Sequence, residues 1–324
     1  MNQTQTLQIY GIGALAGATT ALLCLGMASG SMLAVIMFFI SPVPLMVAGL
    51  GFGLKAALTG ALFAVGGTFL FANGLVAALV ALAIAGPACA TGYWLNMARP
   101  AEEIGGPSGQ LAWYPLADVL FANALFTGLA YVVLGALIGF GPDLARELAA
   151  ELIARFRETN PELVFSPEGE ASLRDFLLTI VPIAQPFFWM LTLTLSIRIA
   201  TAIARRSGLM KRPQEDWPLA LRMPRTATFA FLVAVLISLV PGGLGLAGSS
   251  IAGALGAGFT MAGLAVVHAR TRGMSGRFVI LLLAYLSIVL IGFTVLAFFV
   301  IGIFGAGRHI ALSKPAPPNP TPKS

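Results

Sequence analysis

Charge is what this sequence has least of. Only 10% of its 324 residues are Asp, Glu, Lys or Arg, where a soluble domain carries about 25%. Apolar residues make up 58% and the mean hydropathy is +0.90, above the roughly 45–50% apolar content of soluble folds. A soluble enzyme is thereby excluded, and no nucleic-acid partner is expected despite a formal net charge of +6. Histidine and cysteine are nearly as scarce. The two histidines are His268 and His309, and Cys24 and Cys89 sit inside apolar stretches with no CxxC spacing. No His/Cys metal cluster assembles from these, and the cysteines read as small buried hydrophobes.

Missing spacings exclude further chemistry. No lysine follows a glycine, so there is no Walker A loop, and any ATP would be bound by another chain. Gly243, Gly245 and Gly248 fit GxGxxG, but that pattern binds dinucleotides only between a strand and a helix, with an acid about 20 residues on. No Asp or Glu follows Asp216, and the three glycines are expected at a turn between two spans. Paired carboxylates, a histidine motif and a nucleophile constellation are all lacking. The expectation is a protein that is not an enzyme and needs neither cofactor nor metal.

What is present is a succession of apolar runs, at 10–28, 31–52, 54–72, 75–97, 117–140, 176–200, 227–245, 250–269 and 278–305. Most approach the roughly 17–25 residues with which a helix crosses a bilayer. They do not alternate at period two as barrel strands would, and backbone in lipid must satisfy its own hydrogen bonds. The predicted fold is all-α: a polytopic integral membrane protein of about 8–9 transmembrane helices, one domain over 1–312. Residues 1–10 carry no Lys or Arg, so the first run is expected to be a span, not a cleaved signal. Run nine has 28 residues, about 42 Å as a helix. It fits either one tilted span or a hairpin broken near Gly292, which leaves the side of the C-terminus open.

Loop charge sets the expected orientation. Residues 198–225 hold seven basic side chains against Glu215 and Asp216, whereas 141–175 hold four arginines against eight acids. A bacterial inner-membrane protein is expected, with the basic loops and the N-terminus cytoplasmic. Arg205, Arg206, Lys211 and Arg212 follow run six, where each would contribute ~1 kcal/mol with anionic lipid. Within 141–175, Leu144, Leu148, Leu152 and Phe156 recur every four residues. They predict an amphipathic helix, lying on the outer surface or packed on the protein's own outer loops. Residues 313–324 contain five prolines and are expected to be a disordered tail.

Polar residues inside the runs are few. Asn123 and Gln185 are candidate ligand contacts, although interhelical hydrogen bonding is the commoner role of such groups. Small residues four apart (Gly13/Gly17, Ala14/Ala18, Gly49/Gly53, Ala252/Gly256) permit close helix approach. Trp94, Trp113, Tyr114, Trp189 and Trp217 fall at or near span ends, as an aromatic belt does.

Four segments carry a resemblance: SPVPLMVAGLGFGLKAAL at 41–58, GPACATGYWL at 86–95, EDWPLALRMPRTATFAFL at 215–232 and MAGLAVVHARTRGMSGRFVILLL at 261–283. In the third, Trp217, Arg222 and Pro224 form an aromatic-x-x-x-x-Arg-x-Pro lead into the next span. Together these resemble the YybS-like family of uncharacterised bacterial membrane proteins, the domain of unknown function 2232. The family's pattern has an acid near the end of the last span, where this chain has Gly305, Ala306 and Gly307. In hydropathy layout the family is similar to the substrate-binding subunits of energy-coupling-factor transporters. That likeness implies a ligand-binding transport subunit with Ala14 and Ala18 docking a partner membrane subunit. The alternative is a membrane scaffold or regulator acting through its basic cytoplasmic loop. Membrane lipids are expected partners either way, and the ligand is unknown.

Overall fold

A computed structural model describes residues 3–160, 162 and 165–313. Its helices are α1 (Gln3–Leu25), α2 (Met32–Phe39), α3 (Pro42–Phe52), α4 (Leu54–Phe71), α5 (Gly74–Leu79), α6 (Gly86–Leu95), α7 (Leu116–Ile138), α8 (Pro142–Thr159), α9 (Pro167–Arg206), α10 (Trp217–Ala220), α11 (Arg225–Ser238), α12 (Gly243–Arg270), α13 (Arg277–Ile291) and α14 (Val295–Phe304). A short antiparallel ribbon, β1 (Ala98–Pro100) and β2 (Leu111–Trp113), joins α6 to α7. The expected disordered tail lies outside the described residues, apart from Ser313.

Among the described residues, seven segments are long and apolar enough to cross a membrane: Gln3–Ser29, Met32–Phe52, Leu54–Phe71, Gly74–Leu95, Leu116–Ile138, Pro167–Arg206 and Gly243–Arg270. Helix α11 is apolar but shorter, with 14 residues, about 21 Å against about 30 Å of hydrocarbon. An extended stretch, 221–224, leads into it, and Leu221, Met223 and Pro224 are buried. Their carbonyls are satisfied there. Arg222 donates to the oxygens of Pro218 (2.9 Å) and Leu221 (2.8 Å), and Gly307 N donates to Met223 O.

The ninth apolar run is a hairpin. Helix α13 has 15 residues and α14 has 10, about 22 and 15 Å. They are separated at Gly292, whose φ of +51° is open to glycine. The second arm returns beside α12, where Gly263 and Gly302 face each other so closely that a Cβ on either would strike the other helix's backbone. The chain beyond it ends against the ribbon: Trp113 N donates to Ala311 O at 3.0 Å and Ser313 N to Leu111 O at 2.9 Å. The N-terminus, the 96–115 ribbon, the 207–224 loop and residues 305–313 therefore share one end of the bundle, hereafter the basic face. Helix α8 lies at the other, acidic face.

Helix α12 is the axis, packing on α7, α9, α11 and α14. Its interior-facing positions are largely Gly and Ala, which let four helices approach one. Gly245 and Gly248 do not form a turn between spans, as the run boundaries suggested. They lie inside α12, pressed against backbone of residues 234–240 of α11 and its end, while the turn falls at 239–242. Gly13 and Gly17 likewise press α1 onto the backbone of Ala56 and Gly60 in α4.

Proline shapes the fourth span. Pro87 has no N–H to offer the carbonyl of Ala83, four residues earlier. Val80–Ala85 widens into a π turn, and Trp189 Nε1 donates to Ala83 O at 2.6 Å instead. At the acidic face α8 buries Ala145, Ala149 and Ile153 against α9, which runs beyond the bilayer as one 40-residue helix. The leucine stripe is not the packed face: Leu144 and Leu148 are half-buried, and Leu152 and Phe156 are exposed. Small side chains allow the closer helix approach, and Arg157–Glu170 (3.6 Å) bridges the pair.

Candidate ligand cavity and the basic face

A cavity of about 370 Å³ opens toward the acidic face between α5, α7, α9 and α12. Its existence follows from local sequence. Helix α7 stops at Gly139, which adopts φ +67° and returns Phe140 N to Gly135 O at 2.8 Å, a glycine C-terminal cap. Helix α12 presents Gly243, Ala247 and Ser250 to the gap, small residues at helical spacing that leave volume unfilled. Leu75, Leu79, Leu134, Val181 and Leu246 give apolar walls. The polar lining is Tyr131, Gln185 and Ser250. Ser250 Oγ donates to Leu246 O within its own helix, leaving Tyr131 and Gln185 as the groups facing a guest. Few polar groups on an apolar wall are the usual make-up of a small-molecule site.

The two mid-span amides are thus separated. Gln185 lines the cavity, whereas Asn123 is fully buried about two turns nearer the basic face. Thr91 Oγ1 donates to Asn123 Oδ1 at 3.0 Å, and Asn123 Nδ2 donates to Val119 O at 3.0 Å. The geometry gives Asn123 an interhelical hydrogen bond in place of a ligand contact. Tyr131 and Ser250 were missed at the level of sequence. The signal that could have found them is the Gly/Ala/Ser spacing at 243, 247 and 250.

On α1, Gly13 and Gly17 take the intramolecular contact, while Ala14 is half-buried and Ala18 exposed. An outward strip of small residues therefore remains beside the α1–α4 seam.

The basic loop is more structural than its charge suggested. Arg212 is 2% exposed, so it is not a lipid contact. Its Nε donates to Glu215 Oε2 at 2.7 Å and its NH1 to Tyr114 O at 2.8 Å, tying the loop to the start of α7. Arg205 donates to the carbonyls of Arg212 (3.0 Å) and Pro213 (3.3 Å). Of the four basic residues, Arg206 and Lys211 alone are exposed. Trp217 lies under the Arg198 guanidinium at 5.6 Å, a cation–π distance, and Arg222 and Pro224 belong to the buried stretch described above. Asp216 pairs with Arg272 beyond the end of α12. Hydrogen bonding to that guanidinium holds the Asp216 carboxyl below its ordinary value and raises the Arg272 guanidinium.

Among the described residues no group of three or more His, Cys, Asp or Glu could hold a metal ion. Comparison with curated proteins and with solved structures finds no match. A family model described as predicted membrane protein (DUF2232) matches residues 17–305, from the first span through the returning arm of the hairpin. With nearly the whole helical bundle inside that match, the chain belongs to this family of multi-pass membrane proteins.

Proposed function

We propose that this protein is a ligand-binding membrane subunit of a transport system, taking a small, mainly apolar molecule into the cavity between α5, α7, α9 and α12. The observation that carries the reading is a cavity of about 370 Å³ with Gln185 and Tyr131 on an otherwise apolar wall. The role is non-enzymatic, and the energy source would be a separate chain. The exposed Ala18 beside half-buried Ala14 supports docking of another membrane subunit on α1. The likeness to energy-coupling-factor subunits enters only as an analogy of layout. The loop-charge asymmetry supports a bacterial inner membrane with the basic face, and so the N-terminus, toward the cytoplasm.

A scaffold reading rests on Arg206 and Lys211, which stand exposed on a loop that Arg205 and Arg212 hold in place. Gentle extraction followed by mass spectrometry of the released small molecules separates the two. A transport subunit yields one apolar species in near-stoichiometric amount. A scaffold yields bulk lipid alone and retains a protein partner that is lost in the R206Q/K211Q variant.

A further inference from the structure

A second, larger cavity of about 720 Å³ lies at the basic face and differs chemically from the first. Its floor is apolar, made by Phe121, Ala122 and Leu125, which run one to two turns down α7 from the face. Its rim is polar and is assembled from four distant parts of the chain: the β1–β2 ribbon, the start of α7, Thr226 at the start of α11 and residues 308–310. The polar groups are almost all donors. Arg99 is exposed and, among the described residues, has no ion-pair partner. Trp113 is 6% exposed, and its Nε1–H is buried without an acceptor. A buried donor without a partner is destabilising, so this indole, on a residue that lines the cavity, calls for an acceptor. Tyr114 adds a phenol. Burial and the neighbouring Asp118 raise its pKa, so it stays protonated and able to donate. The acceptor on the rim, the Asp118 carboxylate, is already engaged by Arg308 Nε at 2.8 Å.

We propose that this cavity binds an anionic phospholipid, its phosphate at the rim beside Arg99 and Trp113 and its acyl chain along Phe121 and Leu125. An excess of donors over a free acceptor selects a phosphate. The apolar floor running into the membrane selects a head group that carries a chain over a soluble phosphate. The site is independent of the proposed ligand cavity: it opens at the other face and shares none of its lining residues. It also differs from the surface attraction expected of the basic loop, because Arg206 and Lys211 are not part of it.

The test uses the full chain in nanodiscs of phosphatidylcholine doped with phosphatidylglycerol, with lipid retained after mild detergent transfer read by native mass spectrometry. Wild type is expected to keep one phosphatidylglycerol in preference to phosphatidylcholine. R99Q should lower that preference about tenfold, the loss of a charge-assisted hydrogen bond to the phosphate, beyond any diffuse surface attraction that detergent transfer removes. W113F, which removes the indole N–H together with part of the ring, should also lower it with the fold retained by thermal unfolding, while K211Q should leave it unchanged. Equal losses in R99Q and K211Q, or no loss in R99Q and W113F, would overturn the proposal. Displacement of the lipid by glycerol 3-phosphate alone would overturn the lipid source and assign the rim to a soluble phosphate.

Discussion

Arg308, near the last described residues, pairs with Asp118 at the start of α7, Nε to Oδ1 at 2.8 Å across 190 positions of sequence. The pairing requires the chain to come back to the face from which α7 departs. Run nine must therefore turn within the membrane and not cross it, and Arg308 then joins the other basic side chains on one face.

That topology is open to labelling. Cys24 and Cys89 are buried, so single cysteines report cleanly once the native pair is replaced by alanine. Cysteines at Lys211 and Ile310 should react with an impermeant maleimide from one side, and a cysteine at Phe156 from the other. Reaction of 310 with 156 and not with 211 would make run nine a full span.

The α12–α14 crossing should tolerate no side chain. G302V forces a branched group into the backbone around Phe259 and Gly263. Overpacking of this kind costs about 1–3 kcal/mol, and thermal unfolding in detergent should register a clear drop. G66A meets open space and should be neutral or slightly stabilising, since Ala is the better helix former.

Arg212 and Lys211 are neighbours with opposite expected effects. R212A leaves the Glu215 carboxylate, 5% exposed, buried and unpaired, a loss of about 3–5 kcal/mol. K211A removes an exposed charge and should stay within about 0.5 kcal/mol. The double variant R212A/E215A should recover part of the loss in the same unfolding assay, because no orphan charge remains.

The Asp216–Arg272 contact supplies a pH dependence with a defined sign. Its carboxyl titrates lower in the folded protein than in the unfolded chain. The stabilisation is therefore present above the ordinary carboxylate value of about 3.9 and is lost as pH falls through the lowered folded value. Both side chains are more than a third exposed, so the effect is small and salt-sensitive. A spin-label distance between positions 214 and 273 should hold from pH 7 to about 4 and lengthen below it, and D216N should abolish the step.

How much of this was legible in the sequence depends on what each residue answers to. Helices such as α4 and α7 follow their apolar runs within a few residues, because length and hydropathy decide what lipid will accept. The loop-charge difference likewise separated the two faces, since it needs no partner to be counted. Asn123 and Gln185 looked alike as lone mid-span amides. Only the position of Thr91, 32 residues earlier on the preceding span, makes one a hydrogen-bond partner and leaves the other at a cavity. Arg212 was counted as surface charge because its burial depends on Tyr114 and Leu95, residues about a hundred positions earlier. The leucines of α8 marked the helix, but its contact with α9 is made by Ala145 and Ala149, because close helix approach rewards small side chains.

The cavity between α5, α7, α9 and α12 is the centre of the account, and filling it is the most direct test. A247F places a ring in the space that Ala247 leaves open without removing any polar group of the lining. Native mass spectrometry of protein extracted in mild detergent should show wild type carrying a bound apolar species, lost in A247F and weakened in Q185L, with both variants folded by thermal unfolding. A wild-type mass equal to the bare chain, or a bound species that A247F retains in full, would contradict the claim that this cavity is a ligand site.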